Sequence, residues 1–478
     1  MRAIFLLLFA ALAGGAAAQP LPDLGGAGSG VLSPQMERRI GESIVRDIRF
    51  REPTYLDDPE VADYLAGLGE RLAQATPGAR HEFEFFVMRD HTLNAFALPG
   101  GFVGVHSGLI SSAETESELA SVLAHEIAHV TQRHIARMLG QQDQLQLPVM
   151  VALAAAILLG SSRPDLAFGA AAAAQAGAVQ ATLSYSRDFE READRVGLQA
   201  LEAAGFDARA MPAFFERMQR STRLSDDGSL PGYLRTHPVT TERIADAQNK
   251  SAAMPYRQHL DSAEFHLVRA KLRAEAGDAR DAVGHFEASV RERRYASEAA
   301  ARYGLASALL RARRLREAEA QLRLARGAGA AGPMIEMLAA RLKQAQGQGA
   351  AAAALLAEAR LRYPRSRPVL YAHVAALQEA RRNEAALEAL GEALRLQPRD
   401  ARLRALQAKS YAALGKRFLQ HQAQAEVYVL QGSLPAAIEQ LELARSSGDA
   451  DFYQLSVVDA RLKELRIQYA QEQRDAKR

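Results

Sequence analysis

The sequence predicts an α+β domain with a small sheet, followed by an all-α repeat array. Three observations carry that prediction. Residues 125–129 read His-Glu-Ile-Ala-His inside an apolar helical stretch. Just before them, Phe83 to Met88 alternates and is rich in aromatics, and Ala95 to Leu98 and Phe102 to His106 flank Pro99-Gly100-Gly101, the pattern of short strands around a turn. From about residue 260 onward, helix formers dominate and turn positions recur at a nearly constant interval.

The chain of 478 residues is long enough for two or three domains, and 48% apolar with 24% charged residues is ordinary globular composition. A net charge of +3, spread rather than blocked, gives no case for nucleic acid. Arg2, the apolar run Ile4 to Leu12 and the Ala16-Ala17-Ala18 site form a secretory signal, with cleavage expected before Gln19. That apolar run is too short to span a bilayer. There is no cysteine, which excludes a lipid-anchored form and any disulfide, and leaves metal ligation to His, Asp and Glu. The expected division is signal peptide 1–18, flexible segment 19–32, α+β domain 33–254 and repeat domain 255–478. The expected destination is the periplasm.

Helical patterning runs from about Pro34 to Arg51. A second helix starts at Pro59 behind a capping Asp58 and ends near Ala75. Strands follow at Phe83 to Met88, Ala95 to Leu98 and Phe102 to His106. An edge strand beside the metal helix would let an extended substrate add by main-chain hydrogen bonds. Residues 147–183 are apolar or alanine-rich in two halves split by Gly160 to Pro164, and neither half is long enough to span a membrane. They read either as a buried helical hairpin or as a mobile lid or membrane-touching hairpin.

The His-Glu-x-x-His helix stacks His125 and His129 at i and i+4, so both imidazoles can reach one metal ion. Glu126 points to the side of that ion, where a carboxylate can act as general base without ligating. A catalytic site needs a third protein ligand and an open fourth position. Glu190 is the candidate ligand, and Asp194, four residues on, is placed to orient an imidazole. Glu192 lies about 200° from Glu190 on a helical wheel and is expected to point elsewhere. His134, five residues after His129, falls about 140° from the ligand face and is read as a surface histidine. Metzincin ligation is disfavoured, because positions 132 and 135 are Gln and Ile rather than Gly and His. His237, before Pro238, has three readings: an inhibitory fourth ligand, a transition-state hydrogen-bond donor, or a plain loop residue. Arg243 either stabilises an oxyanion or pairs with an acidic neighbour.

His125-Glu126-x-x-His129 with Glu190-x-x-Ala193-Asp194 some sixty residues later resembles the HtpX/CAAX-prenyl-protease superfamily of gluzincins. Asn94 to Gly101, Ser107 to Ile110 and Thr236-His237-Pro238 with Arg243 are similar to further elements of that superfamily, over roughly residues 35–250. The resemblance implies a zincin-like fold and one Zn2+ per chain on His125, His129 and Glu190, with Glu126 as base. A CAAX-type membrane protease is disfavoured for lack of spanning helices.

In the C-terminal half, turns at Gly277, Arg313, Gly347, Arg381 and Gly415 are spaced 36, 34, 34 and 34 residues apart. Ala282, Ala318, Ala352 and Ala386 each follow a turn by five residues, with Gln420 in the fifth repeat. That period resembles tetratricopeptide repeats, a solenoid with a concave binding surface. After Gly415 the register breaks: Gly432 follows after seventeen residues, so one helix is shared or added as a cap.

Signal, gluzincin domain and repeats together resemble BepA-like periplasmic metallopeptidases. The resemblance implies an endopeptidase that degrades misfolded or stalled outer-membrane β-barrel proteins, with chaperone activity in their assembly. The implied partners are those unfolded proteins and the β-barrel assembly machinery; peripheral membrane contact through 147–183 goes with the membrane-touching reading of that segment. The competing reading is a non-proteolytic holdase or adaptor acting through its repeats.

Overall fold

A computed structural model describes residues 32–79, 82–140, 187–223 and 232–475. The signal peptide and the 147–183 segment lie outside the described residues. Of the segment expected to be flexible, only Leu32 is described. It is buried, and its carbonyl accepts a bond of 2.6 Å from Arg133, so the end of that segment is anchored.

Local sequence sets the first elements. Helix α1 (Pro34–Arg51) is capped by Ser33, and α2 (Pro59–Ala75) by Asp58, each with proline in its first turn. Strands β1 (Glu84–Met88), β2 (Ala95–Leu98) and β3 (Phe102–His106) form one sheet in the order β1-β3-β2. β1 runs parallel to β3, and β2 runs antiparallel to it through the turn at Gly100 and Gly101, both at positive φ. β2 is the edge facing the metal helix, yet all four of its residues are buried.

The short helix α3 (Ser107–Ser112) leads to α4 (Glu116–Thr131), capped by Thr115 and buried along nearly its whole length. α4 stops at a turn where Arg133 has φ 54°, and α5 (His134–Gly140) sets off in a new direction. Helix α6 (Arg187–Ala203) packs along α4. They meet at Gly197, where an added Cβ would stand 3.2 Å from the His125 backbone nitrogen. Helices α7 (Ala210–Arg223), α8 (Gly232–Thr236) and α9 (Thr241–Ala253) complete this half.

Five antiparallel helix pairs follow. They are α10 (Ala263–Glu275) with α11 (Ala279–Arg291), α12 (Glu298–Arg311) with α13 (Leu315–Gly327), α14 (Pro333–Ala345) with α15 (Gly349–Arg362), α16 (Arg367–Glu379) with α17 (Asn383–Leu396), and α18 (Ala401–Ala413) with α19 (Arg417–Leu430). Every turn residue singled out by the spacing adopts positive φ: Gly277, Arg313, Gly347, Arg381 and Gly415. The alanines five residues later are all buried, as are Phe286, Leu322, Leu356 and Leu390 one helical turn further on. This is the tetratricopeptide arrangement: small residues let the helices cross closely, and larger ones fill the gap. At the register break, α19 packs against both α18 and α20 (Leu434–Arg445), and α21 (Phe452–Asp475) closes the array. Among the described residues no helix is long and apolar enough to cross a membrane.

The two halves share a core. One apolar cluster runs from Leu56 through α4 to Leu342 in the third pair. A charged seam reinforces it along the start of α2. Lys271 lies between Asp58 and Glu60, Arg341 reaches Glu60 at 3.2 Å, Arg367 reaches Asp63 at 2.7 Å, and Arg402 pairs with Asp57.

Candidate metal centre

Four buried side chains converge from three elements. His125 and His129 come from α4, Glu190 from the first turn of α6, and His237 from the residue after α8. One donor atom from each lies within 4.8 Å of all the others. Nε2 of His125 stands 3.0 Å from Nε2 of His129 and 3.3 Å from Nδ1 of His237. The Glu190 carboxylate is 3.5 Å from His125, 3.3 Å from His129 and 3.0 Å from His237. Three imidazole nitrogens and a carboxylate turned toward one point, in a place closed to water, are a donor set suited to a divalent ion. Without an ion, the facing imidazole nitrogens have little reason to gather there.

Charge around the cluster is strongly perturbed. Burial pushes the His129 imidazole well below its usual range. Burial also acts to lower His125, but Asp194 and Glu190 outweigh it and lift it to about 9. Burial disfavours ionised Glu190, yet His237 and Arg243 hold its carboxyl well below the usual carboxylate range. Burial raises the Glu126 carboxyl, opposed by His237 and His125. The Ala97 backbone N–H, from β2, also acts to lower it. The nearest ring nitrogen is His237 Nε2, at 3.5 Å.

Asp194 stands 3.0 Å from Nδ1 of His125, on the side away from the cluster. Arg243 is almost wholly buried. Its Nε and Nη2 each donate to Asp194 at 2.8 Å, and its Nη1 donates to the Pro238 carbonyl and lies 2.6 Å from Glu190. Of the two readings of Arg243, this geometry is that of acidic pairing. His237 follows α8, its own N–H donating to the Tyr233 carbonyl and its ring stacked on Tyr233 at 4.7 Å. The Tyr233 N–H donates to the Leu93 carbonyl, which ties the His237 segment to the start of β2.

His134 is not a surface residue. It is fully buried, with Nδ1 2.9 Å from Nδ1 of His129 and Nε2 3.2 Å from Glu192. The wheel angle failed because α4 ends at Thr131; the left-handed turn at Arg133 swings His134 back against the end of the helix. Burial holds its imidazole down at about 4. Glu192 does point away from the cluster, and what it meets there is His134 and Arg137. Tyr233, the floor under His237, carried no sequence signal beyond its place four residues before that histidine.

The sequence profile of peptidase family M48 matches residues 59–251. The beta-barrel assembly-enhancing protease of Escherichia coli K12 is 33% identical over 457 residues, covering 94% of this chain and 92% of that one. A putative beta-barrel assembly-enhancing protease of Vibrio cholerae is 40% identical over 252 residues, 53% of this chain; this chain spans about half the length of that relative (51%). The mitochondrial metalloendopeptidase OMA1 of Arabidopsis thaliana is 29% identical over 243 residues, covering 49% of this chain and 46% of that protein. The profile spans every side chain that converges here, and the likeness to the Escherichia coli protein runs nearly end to end: this chain belongs to peptidase family M48 and is a metallopeptidase.

Proposed function

We propose that the chain is a zinc endopeptidase of the bacterial periplasm that cleaves misfolded or stalled outer-membrane β-barrel proteins. The observation that carries the chemistry is the buried convergence of His125, His129, Glu190 and His237 beside the wholly buried Glu126 carboxylate. His125 and His129 would bind the ion through Nε2 and Glu190 through its carboxylate. Zinc supplies Lewis-acid polarisation of a peptide carbonyl and water acidified to a pKa near ~7. Glu126 accepts the proton released in the attack and passes it to the departing amine. Asp194, clamped by Arg243, fixes the ring of His125. Substrate class and compartment rest on the relatives' names together with the sequence's signal-like start. A backbone-reading edge such as β2 suits unfolded chains.

His237 is proposed as the inhibitory fourth ligand, because its Nδ1 already stands among the donors. Its segment is tied to the residues just before β2 through the Tyr233 N–H and the Leu93 carbonyl. The repeat array is proposed as the surface that engages unfolded barrel proteins and the β-barrel assembly machinery.

The test is Glu126→Gln. It should bind zinc as the parent does and lower cleavage of an unfolded barrel protein by roughly 100- to 10,000-fold. A fully active variant would remove Glu126 as base. If the parent, with or without chelator, only prevents aggregation and never cleaves, the holdase reading replaces this one.

A further inference from the structure

Resting on the reading that His129 ligates through Nε2, we infer that His134 is a positioning residue for the metal centre: it fixes the tautomer and rotation of His129, and is itself fixed by Glu192.

The proton inventory follows from distances alone. Nε2 of His129 faces the cluster, 3.3 Å from Glu190. A ligating nitrogen needs its lone pair, so the ring proton must sit on Nδ1. That Nδ1 is 2.9 Å from Nδ1 of His134. Two lone pairs, or two N–H groups, that close would repel. Nδ1–H of His129 therefore donates and Nδ1 of His134 accepts, which places the proton of His134 on Nε2. That atom lies 3.2 Å from Glu192, which also takes a bond of 2.8 Å from Arg137. Each proton in the chain from His129 to Glu192 is then assigned without a free choice.

The arrangement parallels the other ligand histidine. His125 reaches a carboxylate directly, Asp194, held by Arg243. His129 reaches one through a single imidazole, Glu192, held by Arg137. Glu190, Glu192 and Asp194 are thus alternate residues of one helix start that serve the ion, His129 and His125 in turn. His134 has little freedom to do otherwise. Its ring is buried and stacks on Phe189 at 4.6 Å with 12° between planes, and Arg137 lies over the same Phe189 ring. The Arg133 turn that delivers it is tied to Glu37 and the Leu32 carbonyl, each at 2.6 Å. A ligand role for His134 itself is excluded by its place behind the His129 ring.

The test measures zinc affinity by chelator competition in full-length protein carrying Glu126→Gln, with metal-free melting temperatures recorded in parallel. His134→Leu keeps bulk and removes the acceptor; it should weaken zinc binding roughly 10- to 100-fold. His134→Asn sets an amide oxygen about where Nδ1 stood and should stay within about threefold of the parent, because the acceptor His129 needs is kept. Equal zinc affinity in His134→Leu and the parent would overturn the inference. So would equal losses in His134→Leu and His134→Asn, the result of a packing role. If the parent itself binds no zinc, the metal reading falls first, an outcome distinguishable from either of these.

Discussion

At the scale of single residues, the site is a set of paired constraints. His125 and His129 each have a second contact that fixes the ring and ends on an ion pair, Asp194 with Arg243 and Glu192 with Arg137. His237 is the member whose removal should help rather than harm. If the closed arrangement holds about nine-tenths of the molecules, His237→Ala should raise cleavage of an unfolded substrate roughly tenfold. A fall of roughly 100-fold or more would instead make it a transition-state donor. Helical spacing relates His125, Glu126 and His129 to one another and Glu190 to Asp194, which made each group legible, but no local period relates one group to the other. His134 was not legible, since a wheel angle holds only while the helix continues, and this one ends two residues before the Arg133 turn. The clamp of Arg243 on Asp194 joins residues 49 apart, a relation no local period encodes.

At the scale of elements, the site depends on how closely α6 approaches α4. Gly197 sets that distance: its missing side chain leaves room for the His125 backbone and for Met211. Gly197→Ala requires its neighbours to give by a few tenths of an ångström, whereas Gly197→Val adds two further methyl groups on that Cβ to a packed crossing. The valine variant should lose about 1–3 kcal/mol of stability, read from its denaturation midpoint, and bind zinc more weakly. Unchanged stability and affinity would mean that the crossing is looser than described. The strands and the first two helices fell close to their expected bounds because caps, prolines and alternation are local signals. Burial of the edge strand β2 was not visible in that way, since it depends on what packs over it from elsewhere in the chain.

At the scale of the molecule, the repeat array is bound to the peptidase half rather than strung from it. The start of α2 offers Asp57, Asp58, Glu60 and Asp63 to cations from four of the five helix pairs, all but the second. Lys271 is the buried member, and beside it the Asp58 carboxyl is held low despite its burial. Lys271→Ala would leave carboxylates buried without their partner. It should cost about 3–5 kcal/mol and make the junction near residue 255 more sensitive to added protease. A variant as stable and resistant as the parent would show that the apolar core alone joins the halves. The 34-residue period announced the repeats because every unit repeats the same local need for a left-handed turn and a small crossing residue. It was silent about this seam, whose cations read as ordinary solvated helix faces until α2 is set against them.

The central claim is that side chains from two distant helices hold one divalent ion. A crystal structure of the zinc-soaked protein, with the ion located by anomalous scattering at the zinc edge, tests it most directly. The account predicts one ion per chain within about 2.0–2.2 Å of His125 Nε2, His129 Nε2 and a Glu190 oxygen. An ion bound elsewhere, or Glu190 turned away from an ion held by the two histidines, would contradict it.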